Sequence, residues 1–316
     1  MTTNNDMNIV FGTGPLGCAV AEELLVRGQS VKLVNRSGVG DIPGGATLVK
    51  ADVTDPELTR EVCKNVRTVF HCAMPPYTQW PVLFPAITYG IMKGAISAEA
   101  NLVYGDNLYM YGQVNGPIKE DLPYNAKGPK GKIRGEMADK LMQAHKEGKV
   151  KVAIGRASDF FGPRVLNSII GERVFIPAIK GKTITLLGSI DQPHTFTYIK
   201  DFAKGLVTLS ENETAFGEVW HIPSAETITI QKFLHRVFSE IETFPPVKTA
   251  PKFVVNVMAL FNPIIRELKE VLPYYEQPYI VDYSKFEKDF GNNSTPHKSA
   301  IKETITWYKE KFNLLT

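Results

Sequence analysis

Cysteine is scarce in this chain of 316 residues: Cys18, Cys63 and Cys72 form an odd, widely spaced set. Such a set makes no disulfide framework and no paired-cysteine metal site. Two of the three lie in apolar runs, where a free thiol packs as a small hydrophobe, so reduced thiols are expected. An excess of one charge is missing as well. The 36 basic and 33 acidic residues leave a net charge of +3, mixed along the chain, and no continuous field for a polyanion arises. The densest basic piece, 127–134, is broken by glycine and proline and reads as a solvated loop, so no nucleic acid is expected as a partner. Long hydrophobic runs are also wanting. The strongest late one, 253–265, is too short for a bilayer and contains Asn256, Asn262 and Pro263. Residues 1–6 are polar and lack the regions of a signal peptide. The expectation is a cytoplasmic protein that engages no membrane. His71, His145, His194, His221, His235 and His297 are scattered without HExxH spacing, which predicts no metal site. The lack of G-x-S-x-G counts against a nucleophile-elbow hydrolase.

What is present is concentrated at the front. Residues 7–17 read as a short apolar run that breaks into Gly12-Thr13-Gly14-Pro15-Leu16-Gly17 and then into a helical pattern over 19–27. This is a strand, a tight turn and a helix start. Gly12 permits the sharp turn, Gly14 lets backbone approach a pyrophosphate, and Gly17 lets helix pack on strand. An anionic diphosphate would sit on the helix N-terminus. A second apolar run at 30–34 completes the context that gives a G-x-G-x-x-G its meaning. Further strands are expected at 46–50, 66–72, 101–104 and 150–155, with helices at 56–64, 81–98 and 131–147. That alternation predicts an α/β fold with a Rossmann-type, doubly wound parallel sheet. Residues 1–155 are expected to form this dinucleotide-binding domain. Residues 156–316 are expected to form a smaller C-terminal substrate lobe over the sheet's carboxyl edge, with about 195–222 returning to the core. In that lobe, strands are expected at 184–187, 195–199 and 218–222, and helices at 201–210, 230–241, 256–272 and 298–312.

The end of the second strand bears on which dinucleotide binds. A NAD site usually has an acidic residue there for the ribose hydroxyls. This chain has Asn35-Arg36-Ser37. Arg36 brings a permanent charge and a planar fork suited to a 2′-phosphate, and its neighbours add neutral hydrogen-bonding groups. NADP(H) is therefore expected over NAD(H). Asp52 and Val53 stand where an adenine ring would be clamped. Cys72 and Ala73, at the end of the fourth strand, and Tyr104 on the fifth complete the expected cofactor set.

With these features in place, the chain resembles an extended or atypical short-chain dehydrogenase/reductase of the NAD(P)-dependent epimerase/dehydratase type. Residues 103–112, Val-Tyr-Gly-Asp-Asn-Leu-Tyr-Met-Tyr-Gly, resemble the family's strand with Ser-Ser followed by Val-Tyr-Gly. Residues 155–164 resemble its Arg…Tyr-Gly-Pro segment, residues 196–203 its Tyr-Val-x-Asp-Val-Ala, and the stretch from Phe290-Gly291 to Trp307 its carboxyl-terminal signature.

The resemblance implies a Tyr that exchanges a proton with the substrate oxygen, a Lys four residues later, and a Ser or Thr that positions substrate. Here the Ser/Thr place is Asn107, beside Asp106. At the start of the 131–147 helix no tyrosine stands, and Lys130, Lys132, Arg134 and Glu136 stand instead. The sole Tyr-x-x-x-Lys, Tyr89 to Lys93, precedes the fifth strand and is read as coincidence. The expected catalytic set is Asp106, Asn107, Tyr109 and Lys132. Tyr77, Trp80, Phe160 and His194 are expected to line a small-molecule substrate. Two functions follow: an NADP(H)-dependent oxidoreductase or epimerase-like enzyme with an atypical proton donor, or an NADP(H)-binding regulatory or scaffold protein that has lost the reaction. The resemblance also implies a homodimer paired through the helices at 81–98 and 131–147.

Overall fold

A computed structural model describes residues 7–250, 266–267 and 269–314. Two compact units emerge: Met1–Met110, Pro129–Ala157 and Phe202–Ile222 form the first, and Tyr111–Gly128, Ser158–Asp201 and Pro223–Thr316 the second.

The first unit opens with β1 (Met7–Phe11), α1 (Pro15–Val26), β2 (Ser30–Asn35), β3 (Thr47–Lys50), α2 (Pro56–Val62) and β4 (Thr68–His71). After β4, one turn of 3-10 helix, Tyr77–Gln79, leads into α3 (Trp80–Ser97), then β5 (Asn101–Asp106), α4 (Pro129–Lys146) and β6 (Val152–Arg156). The chain departs through β7 (Asp159–Phe161), α5 (Glu172–Ile179), β8 (Ile184–Leu187), β9 (Pro193–His194) and β10 (Phe196–Tyr198). It returns with α6 (Ile199–Glu211) and β11 (Val219–His221). The sheet is seven-stranded, ordered β11-β6-β5-β4-β1-β2-β3, and every pairing is parallel. Its direction of growth reverses between β1 and β4, which opens a crevice at their carboxyl ends. Helices cover both faces of the inner strands: β4 and β6 are buried at every residue, including Thr68, His71 and Arg156 at their ends.

Local chemistry sets the helix starts. Pro15 occupies the first turn of α1 after Gly14 as N-cap, so the helix begins four residues before the apolar periodicity at 19 shows it. Asp55 caps α2 by accepting from the backbone N–H of Glu57 and Leu58, with Pro56 just inside. The fourth helix starts at Pro129, two residues before the expected 131. That offset brings Lys130 into its first turn. Gly90 and Gly94 bring α3 against the α2 region: a Cβ on Gly90 would lie 1.8 Å from the Val53 carbonyl oxygen, and one on Gly94 would lie 2.8 Å from the Cys63 sulfur. Burial pushes the thiols of Cys63 and Cys72 up, so both stay protonated and inert.

The second unit is built from three two-stranded sheets: β7 with β10, β8 with β13 (Val247–Ala250), and β9 with β12 (Ile228–Thr229). Its core gathers Phe161, Phe175, Phe196, Phe233 and Tyr308 beneath α7 (Ile230–Ile241) and the last helix, His297–Lys311. The elements β7, α5, β13 and the helix Ser284–Phe290 have no counterpart in the sequence reading. They are short, and Pro177 lies inside α5. The helical spacing read at 256–272 falls largely outside the described residues.

Gly90→Ala is expected to destabilise the first unit by about 1–3 kcal/mol, because the added methyl cannot share space with a backbone carbonyl. Urea unfolding would measure it; an unchanged midpoint would show that α3 can shift freely.

Candidate active site

The crevice begins at the glycine bend. Gly12 has φ +106, and a Cβ there would meet the Cys72 carbonyl oxygen at 2.8 Å and Ala73 backbone at 2.9 Å. A Cβ on Gly17 would lie 1.9 Å from the Gly12 oxygen. Glycine is therefore required at both positions by the protein's own packing. Gly14 differs: nothing lies within 4 Å of its would-be Cβ, and it is the exposed residue of the bend. The open backbone at the start of a twelve-residue helix fits a diphosphate, whose charge the helix N-terminus favours. Leu16 packs onto β5, where a Cβ on Gly105 would approach it to 2.7 Å.

The loop after β2 is held by Asn35. Its amide nitrogen donates to Thr13 Oγ1 at 3.0 Å and to the Val39 carbonyl at 2.9 Å, while its oxygen accepts from the Gly38 N–H at 2.7 Å and the Ser37 hydroxyl at 3.2 Å. An aspartate would lose both donations. Arg36 is exposed beside this loop. Asp52 accepts from the Thr54 hydroxyl and N–H; these bonds, with the Arg36 charge, hold its carboxyl below the usual range. Asn35-Arg36-Ser37 at the β2 end thus presents a guanidinium, close enough to Asp52 for that carboxyl to feel its charge.

At the carboxyl ends of β4 and β5 lies a buried polar cluster. Asp106, 3% exposed, accepts from Arg134 Nη1 at 3.0 Å and from Arg156 Nε at 3.2 Å. Arg134 also donates to the Tyr104 hydroxyl at 2.8 Å and to the Met74 sulfur at 3.3 Å. Its guanidinium lies 4.7 Å from the Trp80 ring centre and 4.5 Å from that of Phe84. His71 packs against Tyr104 at 4.8 Å and bonds the Thr88 hydroxyl at 3.0 Å. Burial pushes the Tyr104 phenol up, so it remains neutral. Above this cluster, Lys130 holds its ammonium 5.4 Å from the centre of the Tyr77 ring, and the Tyr77 and Tyr109 hydroxyls face each other at 3.4 Å.

This geometry redistributes the expected roles. Lys132 is exposed, whereas Lys130 and Arg134 are buried; two residues along a helix is about 200° around it, so Lys132 faces away from both. The inward cations of this turn are Lys130 and Arg134. They carry the four-residue spacing of the Tyr-x-x-x-Lys pair at the helix start, a signal present in the sequence. Both oxygens of Asp106 are engaged by guanidinium groups, which makes it an anchoring carboxylate. The Asn107 side chain accepts from the Tyr109 N–H at 3.1 Å, forming the local turn. Trp80 is 1% exposed, donates to the Pro75 carbonyl and underlies Arg134, so it is a floor and not a pocket wall. Tyr104 is likewise buried in the cluster. Tyr89 and Lys93 form a cation–ring pair at 5.3 Å, with Tyr89 on the surface.

Phe160 and His194 belong to the second unit. Phe160 is half-buried in β7. His194 is 1% exposed, sandwiched between Tyr275 at 5.1 Å and Tyr279 at 5.0 Å, with Nε2 at 2.9 Å from Asp159. Tyr275 donates to the same carboxylate at 2.8 Å. Its surroundings make His194 a packed core residue of that unit.

Comparison with known proteins gives these features a setting. The model of the NAD dependent epimerase/dehydratase family matches residues 9–222. The chain is 26% identical over 274 residues to the decarboxylating sterol-4-alpha-carboxylate 3-dehydrogenase of Mus musculus, covering 79% of this chain and 73% of that one. It is 22% identical to UDP-N-acetyl-alpha-D-glucosaminuronate decarboxylase of Bacillus cytotoxicus, covering 96% and 97%. Among solved structures, the fold is similar to dTDP-glucose 4,6-dehydratase from Bacillus anthracis in complex with NAD, with TM-score 0.79, 14% identity and 98% of each chain covered.

The buried cluster predicts an acid response. Burial, then the Arg134 charge, pushes His71 from 6.5 down to about 3. The unfolded imidazole gains its proton below about 6.5 while the folded one stays neutral, so its contribution is complete above that pH. It is lost as pH falls through the window to about 3, by roughly 1.4 kcal/mol per unit. His71→Gln should flatten this part of the stability profile in urea titrations; a slope equal to the wild type would show that His71 is not buried neutral.

Proposed function

The chain belongs to the NAD dependent epimerase/dehydratase family, and from that premise we propose that it is an NADP(H)-dependent oxidoreductase or epimerase-like enzyme acting on a carbonyl or hydroxyl group of a small molecule. It is an enzyme of the extended short-chain dehydrogenase/reductase type. The observation that carries the proposal is the pairing of the open bend at Gly14 with the Asn35-Arg36 loop. The bend suits any dinucleotide's diphosphate. The loop favours the phosphorylated ribose, because Arg36 supplies a charged fork and Asn35 replaces the negative charge that would repel a 2′-phosphate. Gly12–Gly17, Asp52, Val53, Cys72 and Ala73 complete the proposed cofactor site, and Tyr77, Asn107 and Tyr109 stand on the substrate side of the nicotinamide end.

A bound nicotinamide supplies or accepts a hydride at the substrate carbon. The chain's own groups orient the substrate oxygen and manage its proton, and burial of the cluster around Asp106 fixes them in place. The relatives act, by their names, on sugar nucleotides and on a sterol carboxylate. A small hydroxy or keto compound is the class proposed for this chain. A cytoplasmic setting and a homodimer paired through α3 and α4 belong to the same reading. Two observations are in keeping with them: no helix among the described residues is long and apolar enough to cross a membrane, and α3 exposes Val82 and Tyr89.

Arg36→Asp should weaken NADP(H) relative to NAD(H) by about tenfold or more, the worth of a charge-assisted hydrogen bond to phosphate. Calorimetry with both coenzymes measures the ratio. An unchanged ratio would remove Arg36 from the site.

A further inference from the structure

The two buried cations of α4 differ in what they can exchange. Arg134 is fastened by Tyr104, Asp106 and Met74 and rests on two aromatic faces. Its guanidinium keeps its charge at any pH a folded protein meets, so it neither gives nor takes a proton. Lys130 stands one helical turn closer to the start of α4 on the same face, 4% exposed, with its ammonium over the Tyr77 ring. The Tyr77 hydroxyl in turn faces that of Tyr109. Lys130, Tyr77 and Tyr109 bring exchangeable protons to this end of the sheet, and of these three side chains an ammonium alone becomes neutral on losing one.

We propose that Lys130 is the proton donor to the substrate oxygen, with Arg134 as the fixed positive charge beside it; this rests on the dinucleotide reading above. In the reductive direction, a hydride from the nicotinamide forms the new C–H bond and the carbonyl π pair moves onto oxygen. That oxygen takes a proton from Lys130 Nζ: an O–H bond forms, an N–H bond breaks, and the neutral amine recovers its proton from water. Arg134 attracts the developing oxyanion and is itself held by Asp106, which keeps the first turns of α4 in register with the ends of β4 and β5.

The test uses the full chain with NADPH as probe and reads two quantities. The first is the near-ultraviolet absorption band of bound NADPH, which responds to a cation near the nicotinamide ring. Lys130→Met should move this band, whereas Lys130→Arg and Lys140→Met, the latter on the exposed face of α4, should leave it at the wild-type position. Calorimetry should show all four proteins binding NADPH, which also establishes that they are folded. The second is NADPH oxidation with a panel of aldehydes, ketones and UDP-sugars. Here both Lys130→Met and Lys130→Arg should lose about 10²–10⁴-fold in kcat, since neither side chain can supply the proton. The proposal is overturned if Lys130→Met matches the wild type in spectrum or in turnover, if Lys130→Arg keeps full turnover, or if the wild type turns over no member of the panel. Failure of the wild type to bind NADPH or NADP would instead bring down the cofactor reading beneath it.

Discussion

Asp106 between two guanidinium groups is the interaction on which the first unit's working end depends. One carboxylate oxygen meets Arg134 from α4 and the other meets Arg156 from β6, with all three side chains out of water. Removing three charges from water is expensive, and the arrangement holds because each charge finds an opposite one at hydrogen-bond distance. Its consequence is geometric. Two neighbouring strands and the helix that connects them are pinned at one point, so the start of α4 cannot slide along the sheet. The groups that reach beyond it, Lys130 on α4 and Tyr109 after β5, inherit that fixed register.

At the other end of the crevice the constraint is the absence of atoms. Gly12 and Gly17 let β1, α1 and the end of β4 approach more closely than any side chain permits, and Gly14 leaves its backbone bare where an anion can come near. The chain thus spends two glycines on packing and one on access. Asn35 links this bend to the loop after β2 through Thr13, so the glycine turn and the Arg36 loop are mechanically joined. The family's usual tyrosine is missing, yet the turn that would carry it keeps two inward polar side chains at the same spacing, which is difficult to reconcile with a surface that has lost all function.

Much of the fold was legible because parallel sheets write themselves plainly. Strands covered on both faces have apolar centres, and Pro15, Asp55 with Pro56, and the glycines punctuate them. The second unit was less so: β7, α5 and β13 are short, and their pairing partners lie far along the chain, as when β8 meets β13 across some sixty residues. Local pattern carries no record of such pairings.

The site divides along the same line. The sequence by itself determined the glycine bend, the Arg36 loop, the lack of a Tyr-x-x-x-Lys pair in its proper place and the presence of several cations in the turn that replaces it. These are matters of residue type and spacing. Only the tertiary structure decided that Lys130 and Arg134 face inward while Lys132 faces out, that Trp80 and Tyr104 are floor, and that Asp106 is an anchor. The physical reason is that a two-residue shift in a helix start turns a side chain from one face to the opposite one, and burial, which no spacing rule reports, settles which charges must find partners.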